Sequence, residues 1–203
     1  MFYLFCTFAL AKNPIKMEQE IEKCVELLRA GKVILYPTDT VWGIGCDATN
    51  EEAILKVYHI KQRDEKKSMI ILLDSAERLP MYVSEIPLIA WDLIPHVSRP
   101  TTFIYPTAKN LPAKLVHNDG TIAIRIVQQE FCKRLIRALG KPIISTSANM
   151  ASQPTPQTFA DISPEVLRQM DHVVPQQFAS SYDYKPSRLI KFLDDYNFTV
   201  LRD

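Results

Sequence analysis

Short runs of consecutive apolar residues alternate along this chain with longer segments in which apolar residues recur every three or four positions. The runs at 32–36 and 69–73 have the length of buried strands, and the segments at 18–30 and 129–139 have the period of amphipathic helices. Because the two patterns interleave, the sequence predicts an α/β class with a twisted mixed sheet. A chain of 203 residues is long enough for one good core, so we expect a single domain.

Capping and turn residues mark the ends of the predicted elements. Asn50 is a suitable N-cap for a helix over 51–61, and Ser163 for a helix over 164–170. Gly140 is a suitable end for the helix before it, and the segment 38–45, with its two glycines, is expected to be a loop. Further predictions are short helices near 75–82 and 86–94, strands at 102–105, 121–127 and 143–144, and a hairpin of strands at 188–193 and 198–202.

Charge and cysteine usage narrow the classes of function. The 24 basic and 23 acidic residues leave a net charge of +1, which argues against a broad electrostatic surface for nucleic acid, although a local basic site and weak RNA binding stay open. The four cysteines form no CxxC pair and have no histidine at zinc-finger spacing, so the spacing does not indicate a zinc site. We interpret them as reduced thiols of a cytoplasmic protein.

The first residues differ in character from the rest of the chain. Residues 1–11 are apolar, but they are too few to span a bilayer and lack the basic start of a signal peptide. Met17 opens an ordinary helical pattern. We therefore expect residues 1–16 to be an extension or a disordered tail, residues 17–203 to form the domain, and no membrane segment.

Four segments beside predicted strands could carry chemistry, and each also has a purely structural interpretation. In Pro37–Gly45, hydroxyl groups follow a strand and glycines would let the backbone approach a ligand, but a polar turn has the same composition. In the next segment, Lys61, Arg63, Lys66 and Lys67 precede a strand, and such cations suit phosphate oxygens as well as a solvated loop. The chain contains no GxxxxGK[ST] phosphate-binding loop.

The third and fourth segments are an arginine within an apolar strand and a cluster of small polar residues. Arg125 closes the strand Thr121–Arg125, where a charged group needs either a structural ion pair or an anionic ligand. Ser145–Asn149, followed by Thr155, offers hydroxyls and an amide that suit a nucleotide or an amino acid, or that cap a helix. Neither an HExxH motif nor a GxSxG elbow is present, so the sequence indicates neither of those hydrolase sites.

The order of these segments is that of a known family. The chain resembles the YrdC-like L-threonylcarbamoyladenylate synthases over residues 17–203. That family is marked by a P-T-[ED]-T-x-[YW]-G-[LI]-G stretch, a K-x-R, a P-x-T, an arginine-bearing strand, an S-x-S-A-N stretch, a late serine and a final arginine. The matching positions are Pro37–Gly45, Lys61 with Arg63, Pro100–Thr102, Thr121–Arg125, Ser145–Asn149, Ser187 and Arg202. The resemblance implies a YrdC-like fold, a twisted sheet with helices around a deep basic cavity.

The resemblance also implies a set of ligand contacts. Threonine would be held by Thr40, Arg125, Ser145 and Ser187, with Arg125 pairing its carboxylate. ATP would be held by Lys61, Arg63, Lys67, Thr121, Ser147, Asn149, Thr155 and Arg202, with Lys61 and Asn149 lining the same cavity. Mg²⁺ would accompany ATP; its protein ligands are unknown, with Asp39 as a candidate.

The implied reaction makes threonylcarbamoyl-AMP and pyrophosphate from L-threonine, bicarbonate or CO2 and ATP, without a protein nucleophile. The product would pass to a partner enzyme that modifies tRNA. Three departures from the family pattern are Arg99 in place of a glycine, Ala151-Ser152 in place of Ser-Gly, and Arg188 after Ser187. The alternative is a YciO-like paralogue or RNA-binding protein without this activity, against which the complete Ser147-Ala148-Asn149 favours the synthase.

Overall fold

The computed structural model describes residues 14–64, 69–179 and 185–203, and these residues form one nine-stranded sheet flanked by helices. The strands are β1 Ile34–Tyr36, β2 Gly43–Gly45, β3 Ile70–Leu73, β4 Thr101–Tyr105, β5 Ile122–Ile126, β6 Ile143–Ser147, β7 His172–Val173, β8 Arg188–Phe192 and β9 Phe198–Arg202. The α-helices are α1 Pro14–Arg29, α2 Glu51–Lys61, α3 Leu88–Leu93, α4 Glu130–Leu139 and α5 Pro164–Arg168. Short 3₁₀ helices lie at Ala76–Met81, Ile94–His96, Ala113–Leu115, Phe159–Asp161 and Gln176–Phe178.

The strand order is β7-β1-β2-β6-β3-β5-β4-β8-β9, and both pairing directions occur. The pairs β1–β7, β3–β5 and β4–β8 are parallel, and the other five are antiparallel. The predicted α/β class with a mixed sheet is confirmed. The segments that the sequence analysis singled out lie in or beside strands that are distant in sequence but belong to the same sheet.

Each face of the sheet has its own apolar core. Leu35, Ile44 and Ile124 point to the face that α2 covers. Ile34 and Leu72 point to the opposite face, which α1 and α4 cover. This division follows from the alternation of side chains along a strand, because successive residues point to opposite faces.

The three predicted capping residues are confirmed, although α5 ends at Arg168 and not at 170. The Asn50 side chain accepts a hydrogen bond from the Ala53 N–H at 3.0 Å and caps α2. Ser163 accepts one from the Val166 N–H at 3.3 Å and caps α5. Gly140 ends α4 with φ +76°, the left-handed conformation that glycine adopts without a steric penalty.

The prediction that 38–45 is entirely a loop is wrong, because Gly43–Gly45 is the strand β2 between β1 and β6. The glycines that indicated a loop are required by close packing. A Cβ on Gly45 would lie 2.3 Å from the Ile144 carbonyl oxygen and 2.6 Å from the Tyr36 ring. The two-residue strand β7 was not predicted.

The amino-terminal boundary differs from the expected one. Helix α1 begins at Pro14, so residues 14–16 belong to the first helix rather than to the predicted tail. Met17 is buried in the core that α1 and α4 share. Residues 1–13 lie outside the described residues. Among the helices of the described part of the chain, none has the length and hydropathy needed to cross a bilayer.

Candidate functional site

A cavity of about 240 Å³ lies on the face of the sheet that α1 and α4 cover. Arg125 pairs with Leu72 of β3 on one side and with Thr102 of β4 on the other, so all three side chains share that face. Ser145 pairs with Ile70, and Gly43 pairs with Ser147. The lining residues are Thr40, Val41, Gly43, Arg63, Met69, Ile70, Arg125, Ser145, Thr146, Ser147, Thr155, Pro186, Ser187 and Arg202.

Eight of the residues that the resemblance implied are therefore brought together around one cavity. On the threonine side these are Thr40, Arg125, Ser145 and Ser187, and on the ATP side Arg63, Ser147, Thr155 and Arg202. They come from separate segments of the chain, which the strand order makes neighbours. The cavity combines three guanidinium groups with neutral hydroxyls, a donor set that suits an anionic ligand.

Arg125 is the most deeply buried charge of the cavity. Its Nη2 lies 3.0 Å from Oδ1 of Asp39, and the two side chains are 2% and 8% exposed. The charges are in contact, yet Nε and Nη2 of Arg125 and Oδ1 of Asp39 make no aligned hydrogen bond. The second Asp39 oxygen accepts from the Gln128 N–H at 3.3 Å. Arg125 is thus both the ion-pair partner of Asp39 and a residue of the cavity lining.

The loop after β1 is fixed by its own threonines. The Thr38 hydroxyl donates to the Val41 carbonyl at 2.7 Å and accepts from the Thr40 N–H at 3.1 Å. The two hydroxyl oxygens lie 3.1 Å apart. These contacts hold the buried Thr40 hydroxyl at the cavity wall, because the short polar side chain of Thr38 takes the role of a backbone turn.

Ser187 and Arg202 close the cavity on the side of β8 and β9. The Ser187 hydroxyl lies 2.7 Å from the Thr102 hydroxyl in the buried interior. Nε and Nη2 of Arg202 donate to the Ser187 carbonyl at 3.1 and 2.8 Å. Burial lowers the pKa of Arg202, and the positive charge of Arg125 lowers it further. The two guanidinium groups therefore concentrate positive charge in one place.

Lys61 does not line the cavity, so that part of the expectation is wrong. Its side chain is 2% exposed, and Nζ donates to the carbonyls of Ser147 and Asn149 at 2.5 and 2.6 Å. Burial lowers the pKa of Lys61 to about 8, and the charge of Arg63 contributes. The ammonium group also lies 3.5 Å from the Ser147 hydroxyl oxygen, because the loop after β6 turns back over the end of α2. Lys61 holds that loop from behind.

Asn149 is likewise behind the cavity wall and not part of its lining, contrary to the expectation. Its amide nitrogen donates to the carbonyls of Met150 and Gln153 at 2.9 and 2.6 Å. The Asn149 side-chain oxygen is buried with no hydrogen-bond partner among the described residues. The side chain fixes the turn after β6, which orients the hydroxyls of Ser147 and Ser145.

Thr121 and Lys67 are the other two residues that the structure does not place at the cavity. Thr121 precedes β5 four residues before Arg125, roughly 13 Å away along the strand. Its hydroxyl donates to Asp119 Oδ1 at 2.7 Å, and this bond lowers the pKa of Asp119, with Lys191 adding to the effect. Lys67 lies outside the described residues.

Sequence reasoning overlooked Thr102 and the partner of Arg125. Thr102 was part of a recognised motif but was given no role, although a threonine in an apolar strand is a signal for a buried hydroxyl contact. The pairing of Asp39 with Arg125 is not readable from sequence spacing. Asp39 was a candidate for Mg²⁺, but its carboxylate is engaged by Arg125 and the Gln128 N–H.

A larger open cleft, of about 690 Å³, runs along α2 and α5 and shares Arg63 with the cavity. Its walls include the buried Tyr58 and the exposed Glu165 and Arg168. If volume alone decided, this cleft would be the preferred candidate for the binding site. Converging buried donors are the stronger sign of a binding site, and the sheet-face cavity has them.

Comparison with known proteins finds relatives that match most of this chain. The Sua5/YciO/YrdC family model, described as "Telomere recombination", matches residues 26–203. A threonylcarbamoyl-AMP synthase of Pseudoalteromonas translucida is 35% identical over 162 residues, which are 78% of this chain and 87% of that protein. One of Vibrio cholerae is 34% identical over 159 residues, covering 77% of this chain and 85% of that protein.

Solved structures share the fold. The structure of P. abyssi Sua5 complexed with L-threonine has a TM-score of 0.83 and 25% identity, and covers 91% of this chain. This chain spans just over half of that longer protein. E. coli YciO has a TM-score of 0.78 at 24% identity, with 92% of this chain and 89% of YciO covered. The predicted YrdC-like fold is confirmed, and the chain belongs to the Sua5/YciO/YrdC family.

Proposed function

We propose that this protein is a threonylcarbamoyl-AMP synthase that joins L-threonine, CO2 or bicarbonate and the AMP moiety of ATP. The observation that carries the proposal is the buried Arg125 guanidinium, which lines one cavity together with the hydroxyl side chains of Thr40, Ser145 and Ser187. Synthases of this name are 34 to 35% identical over most of the chain. The related P. abyssi Sua5 has been solved with L-threonine bound.

In this proposal the threonine carboxylate binds the Arg125 guanidinium in a two-pronged contact from the cavity side. Asp39 stays beside the guanidinium and keeps it oriented when the site is empty. Thr40, Ser145 and Ser187 offer hydroxyls around the same space. Neutral hydrogen-bonding groups suit the rest of an amino acid, because they orient it without adding a charge that must be neutralised.

ATP binds next to threonine, with Arg63 and Arg202 at its phosphates and Ser147 and Thr155 beside it. Guanidinium groups match phosphate oxygens in a fork geometry. Lys67 and Thr121 remain candidates for contacts with more remote parts of the nucleotide. Mg²⁺ would bind mainly through the phosphates, as it does in many nucleotide sites. The charges of Asp39 and Arg125 already compensate each other, so Asp39 would ligate Mg²⁺ only after leaving Arg125.

The chemistry needs positioning and charge stabilisation. The threonine amine nitrogen forms a bond to the carbon of CO2 and loses a proton, which gives N-carboxythreonine. An oxygen of that carboxylate then attacks the α-phosphorus of ATP, and the bond to the β-phosphate breaks to release pyrophosphate. Holding the reactants together and placing guanidinium groups at the developing charge are the usual sources of rate in phosphoryl-type transfer.

Lys61 and Asn149 support this arrangement from behind. Lys61 binds the carbonyls of Ser147 and Asn149, and Asn149 binds the turn that follows. The loop is therefore fixed directly after the strand β6, which carries the hydroxyls of Ser145 and Ser147.

We also propose that the protein acts in the cytoplasm. The activated threonylcarbamoyl group would then pass to a partner enzyme that modifies tRNA.

The test is product formation from labelled bicarbonate. The full chain is incubated with ATP, Mg²⁺, L-threonine and labelled bicarbonate, and threonylcarbamoyl-AMP and pyrophosphate are measured together. We expect equal amounts of both products, with neither formed when L-threonine is omitted. RNA binding without ATP turnover under these conditions would refute the synthase proposal and favour the YciO-like alternative.

A further inference from the structure

Away from the cavity, Glu20, Cys24 and His172 bring three potential metal ligands together. Within the ranges that the structure describes, this is the one group of three such residues whose ligand atoms converge, all lying within 4.8 Å of one another. Glu20 and Cys24 lie four residues apart on α1 and therefore on one face of the helix. His172 comes from β7 at the edge of the sheet.

The distances are close to those of a tetrahedral metal site. Zinc bonds to sulfur, nitrogen and oxygen are about 2.0–2.3 Å, which places the ligand atoms of a tetrahedron roughly 3.3–3.8 Å apart. Cys24 Sγ lies 3.8 Å from Glu20 Oε1. Glu20 Oε1 lies 2.5 Å from His172 Nε2, so this hydrogen bond would open by about 0.8 Å to admit an ion.

Burial and charge also suit a bound cation. The Glu20 and His172 side chains are each 13% exposed, whereas Cys24 is fully buried in the core that α1 shares with α4. A carboxylate and a thiolate together carry two negative charges, which balance a divalent ion in a poorly solvated place. Glu20 and His172 are the partly exposed members of the group, so an ion would enter from their side.

We propose that Glu20, Cys24 and His172 form a site for a thiophilic divalent cation of the zinc class, with water as the fourth ligand. Without metal, burial and then the Glu20 charge raise the pKa of the Cys24 thiol to about 12, so the sulfur keeps its proton and donates it to Glu20. Metal binding releases that proton and turns the thiol into a thiolate ligand. The ion would link α1 to the sheet edge.

The positions of the three proposed ligands in the chain explain why their sequence spacing did not indicate this site. Two come from one helical face, and the third comes from a strand near the other end of the chain. Pairs of ligands at positions i and i+4 on a helix are a known arrangement for zinc. The site is independent of the proposed synthase activity, since none of its residues lines the cavity.

The test measures Zn²⁺ and Co²⁺ binding to the full chain after treatment with a chelator. Cys6 is replaced by serine throughout, and the variants are Cys24→Ser, His172→Gln and the control Cys46→Ser. Cys46 is buried like Cys24, but it belongs to no such group among the described residues. Glutamine can still hydrogen-bond to Glu20, so the His172 variant keeps the result interpretable if Cys24→Ser fails to fold.

We expect one Zn²⁺ per chain and a rise in Tm of about 5–10 °C at a hundredfold excess of free Zn²⁺ over Kd. Co²⁺ should give a thiolate-to-metal absorption band. Both signals should be lost in Cys24→Ser and His172→Gln and kept in Cys46→Ser. Absence of a Tm shift and of the Co²⁺ band in the parent protein would overturn the proposal, as would metal binding that Cys24→Ser retains.

Discussion

Replacing Arg125 with lysine is the sharpest test of how the cavity holds its substrate. Lysine keeps the positive charge beside Asp39 but loses the planar fork of donors. In the structure, the Arg125 guanidinium lines the cavity beside the Asp39 carboxylate, and its fork of donors is assigned to the threonine carboxylate. A hydrogen bond to a charged group contributes about 1.5–3 kcal/mol. Loss of one of the pair should weaken L-threonine binding about 10- to 100-fold.

The assay is calorimetric titration of L-threonine and, separately, of ATP into Arg125→Lys and the parent protein. Threonine affinity should fall by the stated factor and ATP affinity by much less, because the phosphates are assigned to Arg63 and Arg202. Arg99→Lys is the matched control, since Arg99 pairs with Asp203 outside the cavity. Unchanged threonine affinity in Arg125→Lys would make this arginine structural, and an equal loss for both ligands would show that the assigned pose is wrong.

Four further outcomes are expected. Lys61→Met leaves the Asn149 carbonyl without its ammonium donor and the Ser147 carbonyl with only the Asn149 N–H, and it should cost about 1–3 kcal/mol. The parent should gain stability over this variant between pH 8 and 10 in thermal melts, because folded Lys61 releases its proton at about pH 8 and the unfolded chain at a higher pH. Gly45→Ala should lower Tm by roughly 10 °C through its clash with a backbone carbonyl, whereas Gly120→Ala, in open space with φ +80°, should cost only about 1–2 kcal/mol. A chain that begins at Met17 should keep its activity and lose at most a few degrees of Tm, since only the first turn of α1 is removed from the described part; a loss of ten degrees or more would show that the removed residues pack on the domain. Pyrophosphate release should favour L-threonine over L-serine by only ~10-fold, because a single methyl group distinguishes them, and equal rates would count against a packed methyl.

Much of the fold could be predicted because its local signals agree with its tertiary structure. Asn50, Gly140 and Ser163 act where the sequence placed them, since capping depends on residues within one turn. β2 was missed because glycines at 43 and 45 are typical of turns, and only the closeness of Ile144 and Tyr36 explains them. The two residues of β7 are too few to show any period.

The sequence predicted which segments form the cavity, but not which of their residues line it and which support it from behind. Motif order identified the segments, and sheet pairing brought eight of the twelve assigned residues to one cavity. Lys61 was misplaced because a lysine in a charged segment suggests solvent or phosphate, whereas the fold directs its ammonium group to two carbonyls. Such a contact depends on how the loop after β6 returns over α2, which no local pattern encodes.

The two buried cations of this region, Arg125 and Lys61, stabilise the site in different ways. Lys61 donates to two backbone carbonyls and lies 3.5 Å from the Ser147 hydroxyl oxygen, so it fixes the shape of the loop, and we expect its replacement to lower stability. Arg125 contacts the Asp39 carboxylate and also lines the cavity, so an anionic ligand in the cavity can share its guanidinium group. A buried donor without a partner costs about 1–3 kcal/mol, and an anion that satisfies it recovers that free energy on binding. The Arg125–Asp39 pair is therefore best understood as a charge held in place for a carboxylate that arrives from solution.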